Sequence, residues 1–145
     1  MYKKSIYYLL FTISLILIDQ ITKLVFSNRD FFVGPIYFHS VNNYGLAFSL
    51  NFGSLANITL VALGLFFLSY YYYWHRHEFS RREQMAFILI FAGAVSNIID
   101  RLYLEYVRDF LDLGLAFTFN LADVFVAVGL LLILLPRTNQ VLKNS

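Results

Sequence analysis

The stretch from Ser54 to Trp74, SLANITLVALGLFFLSYYYYW, carries no charged side chain. Roughly 20 apolar residues, wound as a helix, cross the hydrocarbon core of a bilayer. Working outward, three more stretches have the same character. One runs from about Ile6 to Phe26, uncharged through Ile18, with Asp19 and Lys23 near its end. Another runs from about Gln84 to Ile99, and a last one from about Leu121 to Leu135 with Asp123 near its start. The expected spans are therefore 6–26, 54–74, 84–99 and 121–135.

Composition agrees. The 145 residues are 59% hydrophobic and 14% charged, against roughly a quarter charged in soluble domains. So small a soluble fold has too much surface to cover with so few polar side chains. A net charge of +2 gives no basic excess for nucleic acid, and the 16 Phe and 11 Tyr suit lipid-facing surface and interfacial belts. Cysteine is absent, which rules out disulfides, thiolate zinc sites and thiol nucleophiles. Lys3 and Lys4 ahead of an apolar run imitate a secretory leader, but no small-residue cleavage site follows. The first span is expected to stay in the protein.

Basic residues orient the chain. Lys3, Lys4, Arg76, Arg81, Arg82, Arg137 and Lys143 fall on one side; Lys23, Arg29, Arg101 and Arg108 lie at or beyond the other ends of the spans. Both termini are expected in the cytoplasm. Outer segments cover about 27–53 and 100–120. In the first, Ile36–Val41 and Leu46–Leu50 alternate like short strands around the turn-prone Asn42-Asn43-Tyr44-Gly45. The predicted architecture is an all-α membrane protein: a single integral membrane domain over 1–145, a four-transmembrane-helix bundle with a small extracytoplasmic β-hairpin.

With that orientation the acids gather at one face. Asp19, Asp30, Asp100, Glu105, Asp109, Asp112 and Asp123 are external or near the outer interface, and only Glu78 and Glu83 are internal. Ionisable groups within spans cost several kcal/mol and mark function, so their convergence points to one site. Each acid also has a plainer role open to it. Asp19 and Lys23, at i and i+4, can form an ion pair bracing the bundle. Asn97, one turn from Asp100 and Arg101, can cross-link helices. Asn120 and Asp123 fit the N-cap and N3 positions of a helix, and Asp109 can pair with its neighbour Arg108. His75, His77 and Glu78 match no standard metal-ligand spacing, and His39 stands alone. No Gly-rich phosphate loop, H-E-x-x-H or G-x-S-x-G motif occurs.

Five ordered blocks carry a family resemblance. Asp19-Gln20-Ile21-Thr22-Lys23, Asn43-Tyr44-Gly45-Leu46-Ala47-Phe48, Gly93-Ala94-Val95-Ser96-Asn97-Ile98-Ile99-Asp100-Arg101, Val107-Arg108-Asp109-Phe110 and Phe119-Asn120-Leu121-Ala122-Asp123 resemble the signature blocks of the lipoprotein signal peptidases (signal peptidase II). Ser96 stands where that family often has Gly, Ala92 where a first Gly is common, and Leu46 where Ala is usual. The resemblance implies a bacterial inner-membrane aspartic endopeptidase. Its substrate would be a diacylglyceryl-modified prolipoprotein, cut on the N-terminal side of the lipidated cysteine, with no cofactor or metal. It implies Asp109 and Asp123 as the catalytic pair. Asn43, Gly45, Asn97, Arg101 and Asn120 would position substrate or the aspartates, and Asp19, Lys23 and Asp100 would hold the scaffold.

Two close carboxylates sharing one proton can activate water and protonate a developing oxyanion, which suits that activity. The competing expectations are a small carboxylate-dependent proton or ion transporter, using Asp19, Asp100 and Asp123 as a relay, and a non-catalytic membrane assembly subunit. Oligomeric state is not written in the sequence.

Overall fold

A computed structural model describes residues 2–46, 50–115 and 117–136, with side chains from residue 5 onward. Seven elements follow in order: α1 (Tyr2–Phe26), β1 (Asp30–Val33), β2 (Ile36–Asn43), α2 (Ser54–His75), α3 (Arg81–Leu104), β3 (Val107–Asp112) and α4 (Leu121–Leu134). Three helices, Ser5–Phe26, Ser54–His75 and Arg81–Leu104, are long and apolar enough to cross a membrane. The fourth is apolar but only 14 residues long, roughly 21 Å at helical rise.

Polarity is arranged inside out. Asp19, Lys23, Asn57, Ser96, Asn97, Asp100, Arg101, Asp109 and Asn120 are buried, while Ile6, Leu9, Leu17, Leu60, Phe66 and Phe67 are exposed. Along α2 the single buried residue is Asn57. Such a surface is stable only against lipid. Apolar contacts also knit the helices, around Leu15, Ile88 and Ala92 with Tyr8, Ile16, Leu89 and Phe125 packed on them.

Helix ends are set by local chemistry. Ser80 and Glu83 form a reciprocal capping box at the start of α3, and Asn120 and Asp123 do the same for α4. Helix α3 runs beyond the expected Ile99 to Leu104, so Asp100 and Arg101 are helical residues within the bundle. It stops at Glu105, which takes a left-handed conformation (φ 69°) and returns its N–H to the Arg101 carbonyl. Helices α3 and α4 pack closely because Gly93 and Gly129 leave no side chain between them. A Cβ on Gly93 would fall on the Ala122 carbonyl, and one on Gly129 would come 2.6 Å from Ile90 Cγ1.

The outer segments build a three-stranded antiparallel sheet in the order β1-β2-β3. The expected strand Ile36–Val41 is present and extends to Asn43. The expected turn is not: Asn42 and Asn43 are strand residues, and the hairpin turns at Gly34-Pro35, with Gly34 at φ 59°. The second expected strand, Leu46–Leu50, lies partly outside the described residues, and its ends are joined otherwise, by Leu46 N–H donating to the Leu50 carbonyl at 2.6 Å. On its other edge β2 pairs not with that segment but with β3, from far along the chain. Asn43 pairs with Val107 and Val41 with Asp109, and a bulge follows between Phe38 and Val41. Phe26, Phe31, Phe38 and Phe110 stack at ring separations of 5.0 to 6.1 Å and fasten the sheet to the end of α1.

Candidate active site

Strand β3 is buried on both faces, and its alternation sorts the side chains. Phe110 and Arg108 point toward α1, where Phe110 stacks on Phe26 and Arg108 donates to Gln20 Oε1 at 2.8 Å. Val107 and Asp109 point the other way and line a cavity of about 890 Å³. Asn43, diagonal to Asp109 across the sheet, donates its Nδ2 to Asp109 Oδ2 at 2.9 Å.

The chain then returns at Phe119, which pairs with Leu111 through two backbone hydrogen bonds of 2.8 and 3.0 Å. That pairing sets Asn120 beside Asp109. Its Nδ2 donates to Asp109 Oδ1 at 2.6 Å, its backbone N–H donates to Asp123 Oδ2 at 3.1 Å, and its Oδ1 accepts the Asp123 N–H at 3.0 Å. One residue thus contacts both carboxylates, and both open onto the same cavity. The capping role and the site role of Asn120 and Asp123 are not alternatives, because the same atoms perform both.

Behind the pair lies an ion network. Lys23 Nζ is 2.8 Å from Asp19 Oδ2, 3.3 Å from Asp100 Oδ2 and 2.8 Å from Asn97 Oδ1, with no solvent exposure. Asn97 passes the contact on, its Nδ2 donating to Asp123 Oδ1 at 2.8 Å. Asp19 also accepts from Ser96 Oγ at 2.7 Å and from the Ala122 N–H at 2.7 Å, tying α1 to α3 and α4. Asp100 accepts from Arg108 at 2.7 Å and from Gln20 at 3.0 Å. Among the described residues no buried side-chain nitrogen or oxygen lacks a partner, as the cost of an orphaned polar group in a dry interior demands.

The mouth of the cavity is polar and its wall is not. Asn43, Tyr44, Gly45 and Arg101 rim it; Val61, Ala94, Val126, Ala127 and Leu130 carry it down between α2, α3 and α4. Arg101 donates to the Gly45 carbonyl at 2.6 Å, and the Gly45 N–H donates to Asn43 Oδ1 at 2.8 Å. Asn57 holds the same rim from α2, donating to the Tyr44 carbonyl at 3.0 Å and accepting the Phe52 N–H at 3.2 Å.

Electrostatically, Asp109 is unusual. Burial, and then the charge of Asp123, push its carboxyl up to about 7, against the donors from Asn43 and Asn120 and the Lys23 charge, which favour the anion. Near neutral pH it is therefore part protonated and part ionised.

Every site residue expected from the sequence takes part in this network, and Asp19–Lys23 is the expected i, i+4 pair. The plainer alternative for Asp109, a pair with its neighbour Arg108, does not hold: Arg108 pairs with Asp100 instead, because neighbouring strand residues face opposite sides. Gln20, Ser96, Arg108 and Asn57 were missed as network members. Asn57 had a signal, as a lone carboxamide in an otherwise apolar run. Ser96, where the resembled family often has Gly, adds a donor to Asp19. The histidines stay outside the cavity: His39 pairs with Asp112 at 3.3 Å, and His75 stacks on Tyr71 and contacts its carbonyl. Among the described residues no three His, Asp or Glu side chains converge as metal ligands.

Comparison with known proteins adds the family. A family model described as signal peptidase (SPase) II matches residues 11–137. A lipoprotein signal peptidase of Fusobacterium nucleatum is 34% identical, over 92% of this chain and 87% of its own. Another, from Gloeothece citriformis, is 37% identical over 100% and 99% of the two chains. A solved bacterial membrane enzyme superposes with a TM-score of 0.77 at 29% identity, covering 88% of this chain and 84% of its own.

Proposed function

This chain belongs to the signal peptidase II family, and we propose that Asp109 and Asp123 are the carboxylate pair with which it cleaves. Membership makes it an aspartic endopeptidase of bacterial membranes that removes signal peptides from prolipoproteins. The observation that carries the assignment is Asn120, holding one oxygen of each carboxylate at the polar mouth of a cavity with an apolar wall.

The pair works with one shared proton. Water adds to the scissile carbonyl carbon as the ionised oxygen takes its proton, and the protonated carboxyl donates to the carbonyl oxygen. The carbon–nitrogen bond then breaks, and the amine leaves with a proton returned by the pair. A carboxyl at about 7 lets Asp109 hold the shared proton at neutral pH. The amides of Asn43, Asn97 and Asn120 fix the acids, Arg101 and Gly45 hold the rim, and Asp19, Lys23 and Asp100 brace the helices from behind. The apolar wall suits the acyl chains and signal helix of a diacylglyceryl-modified substrate, cut on the N-terminal side of the lipidated cysteine.

The chain is a single membrane domain in which α4 is the fourth span, short enough to need local thinning of the bilayer. Both termini lie in the cytoplasm, and the sheet and carboxylates lie at the outer face of the inner membrane. The basic residues support that orientation. The transporter alternative finds no support, since each curated relative above is a peptidase by name.

Asp109→Asn and Asp123→Asn test the pair. Each loses at least about a thousandfold in cleavage of a diacylglyceryl-modified peptide, roughly 4 kcal/mol in the barrier. The double variant is little worse than either, because one catalytic unit is lost once. Asp112→Asn stays within about tenfold, since Asp112 pairs with His39 away from the cavity. Substantial activity in either single variant, at matched amounts of folded protein, refutes the assignment.

A further inference from the structure

The charges buried around the pair can be counted. Three cations, Lys23, Arg101 and Arg108, stand among four carboxylates, Asp19, Asp100, Asp109 and Asp123. With every acid ionised, the cluster carries one excess negative charge in a low-dielectric interior. It is neutral when the carboxylates together hold a single proton. Asp19 and Asp100 are each met directly by a cation, at 2.8 and 2.7 Å, so the proton falls to the two acids that are not. Those are Asp109 and Asp123.

Lys23 is wired to that pair by one side chain. Asn97 Oδ1 accepts from Lys23 Nζ at 2.8 Å and from Asn120 Nδ2 at 3.2 Å. With its oxygen so occupied, the amide cannot flip, and its Nδ2 must face Asp123 Oδ1 at 2.8 Å. We infer that Lys23 is a positioning residue for the reaction: through the Asn97 amide and its own charge it sets the single proton held by Asp109 and Asp123. The inference rests on those two acids being the reacting pair.

Other charged and polar groups face the same proton. Asn43 on β2 and Asn120 ahead of α4 donate to Asp109, and Arg101 on α3 acts on Asp123, Asp109 and Asp100. Arg108 on β3 is engaged by Asp100 and Gln20, and Tyr44 lines the cavity. His39 and Asp112 answer each other elsewhere on the sheet. Arg101 touches Asn97 only at its backbone carbonyl, at 3.4 Å. Among the described cations only Lys23 bonds the side-chain amide that reaches Asp123, and of the three cluster cations it alone is wholly buried.

The count makes signed predictions. Lys23→Met leaves one more negative charge, so the pair keeps its proton to higher pH. The alkaline limb of the kcat/KM profile moves up by about one unit, a typical effect of one nearby charge. Asp19→Asn removes an anion from the same ion pair and moves the limb down by about one unit. The double variant Lys23→Met with Asp19→Asn restores the count, and its limb returns to the parent's position even if its rate does not.

The profiles are measured in detergent on a diacylglyceryl-modified peptide, at matched folded protein. The carboxylic-acid C=O infrared band, assigned by its loss in Asp109→Asn, follows the same proton without turnover. A role in packing alone lowers rate or yield and leaves limb and band in place. That result, or Lys23→Met and Asp19→Asn moving the limb in the same direction, overturns the inference. Should Lys23→Met not accumulate, the double variant leaves no lone buried charge, and Asp19→Asn must still move down while the double returns. Full cleavage by Asp109→Asn would instead overturn the assignment of the pair, which separates the two failures.

Discussion

Replacing Asp109 by Asn should make the protein more stable at alkaline pH and less stable at acid pH, although it abolishes cleavage. Asp109 is 1% exposed, and its carboxyl lies at about 7 against 3.8 for an unperturbed one. Between those values the folded chain holds the proton and the unfolded chain does not, so stability falls as pH rises. The loss is complete above about 7. About three pH units at 1.36 kcal/mol each give a ceiling of about 4 kcal/mol. Asn never ionises and escapes that cost. It brings another, because Asp109 accepts from two amides, Asn43 Nδ2 and Asn120 Nδ2, and an Asn turns an NH₂ toward one of them. One such donor-to-donor contact costs about 1–3 kcal/mol. The variant should therefore gain about 1–3 kcal/mol near pH 8, roughly break even near pH 5, and lose about 1–3 kcal/mol near pH 3, where Asp109 is protonated in both the folded and the unfolded chain and pays nothing. Thermal unfolding by circular dichroism, in one detergent across that range, reads this as roughly 2–4 °C per kcal/mol at this chain length. A stability difference between the two proteins that stays constant with pH would falsify the account, because Asp109 would then not be titrating in the folded state over that interval.

The remaining predictions concern topology and helix contact. The absence of native cysteine makes labelling clean: Ser40→Cys, exposed on β2, should react with an impermeant thiol reagent in intact cells. Glu78→Cys, in the α2–α3 connection, should react only after permeabilisation; the opposite pattern places the carboxylates on the wrong side of the membrane. Gly93→Ala and Gly129→Ala should each cost about 1–3 kcal/mol of stability, since the new methyl meets backbone or a packed Ile90. Only Gly93→Ala should also lower kcat per folded molecule by about tenfold or more, because it presses on Ala122, next to Asp123. Equal kinetic losses in both variants would mean that α4 moves as a rigid rod.

What the sequence revealed and what it hid divide along a physical line. Apolar runs and the acid-first spacing of Asp19 and Lys23 are local, and a helix converts them directly into a span and an ion pair. Asn120 and Asp123 are a local signal too, readable from sequence spacing alone as a helix cap. The sheet was not local. Its β2–β3 pairing joins residues more than 60 positions apart, and nothing in the alternation of Ile36–Asn43 names Val107–Asp112 as partner. The expected turn at Asn42–Gly45 failed because Gly34-Pro35 supplies the left-handed backbone that a tight hairpin needs. With β3 counted as loop, Arg108 and Asp109 looked like neighbours able to pair; as a strand it sends them to opposite faces.

The same alternation explains how so many charges share a membrane protein's interior. By turning Arg108 inward to Asp100 and Gln20, β3 adds a third cation to the cluster while keeping it off Asp109. Had Arg108 paired with Asp109, that carboxyl would be held ionised and could not hold a proton near pH 7. Asp100 would then depend on Lys23 alone at 3.3 Å, and Lys23 would have less to give Asn97. One residue's shift in the register of β3 would exchange those faces. The strand's fastening, through Phe110 on Phe26 and the Phe119 pairing with Leu111, is thus part of the chemistry: it decides which acid is neutralised by a cation and which is left to hold a proton.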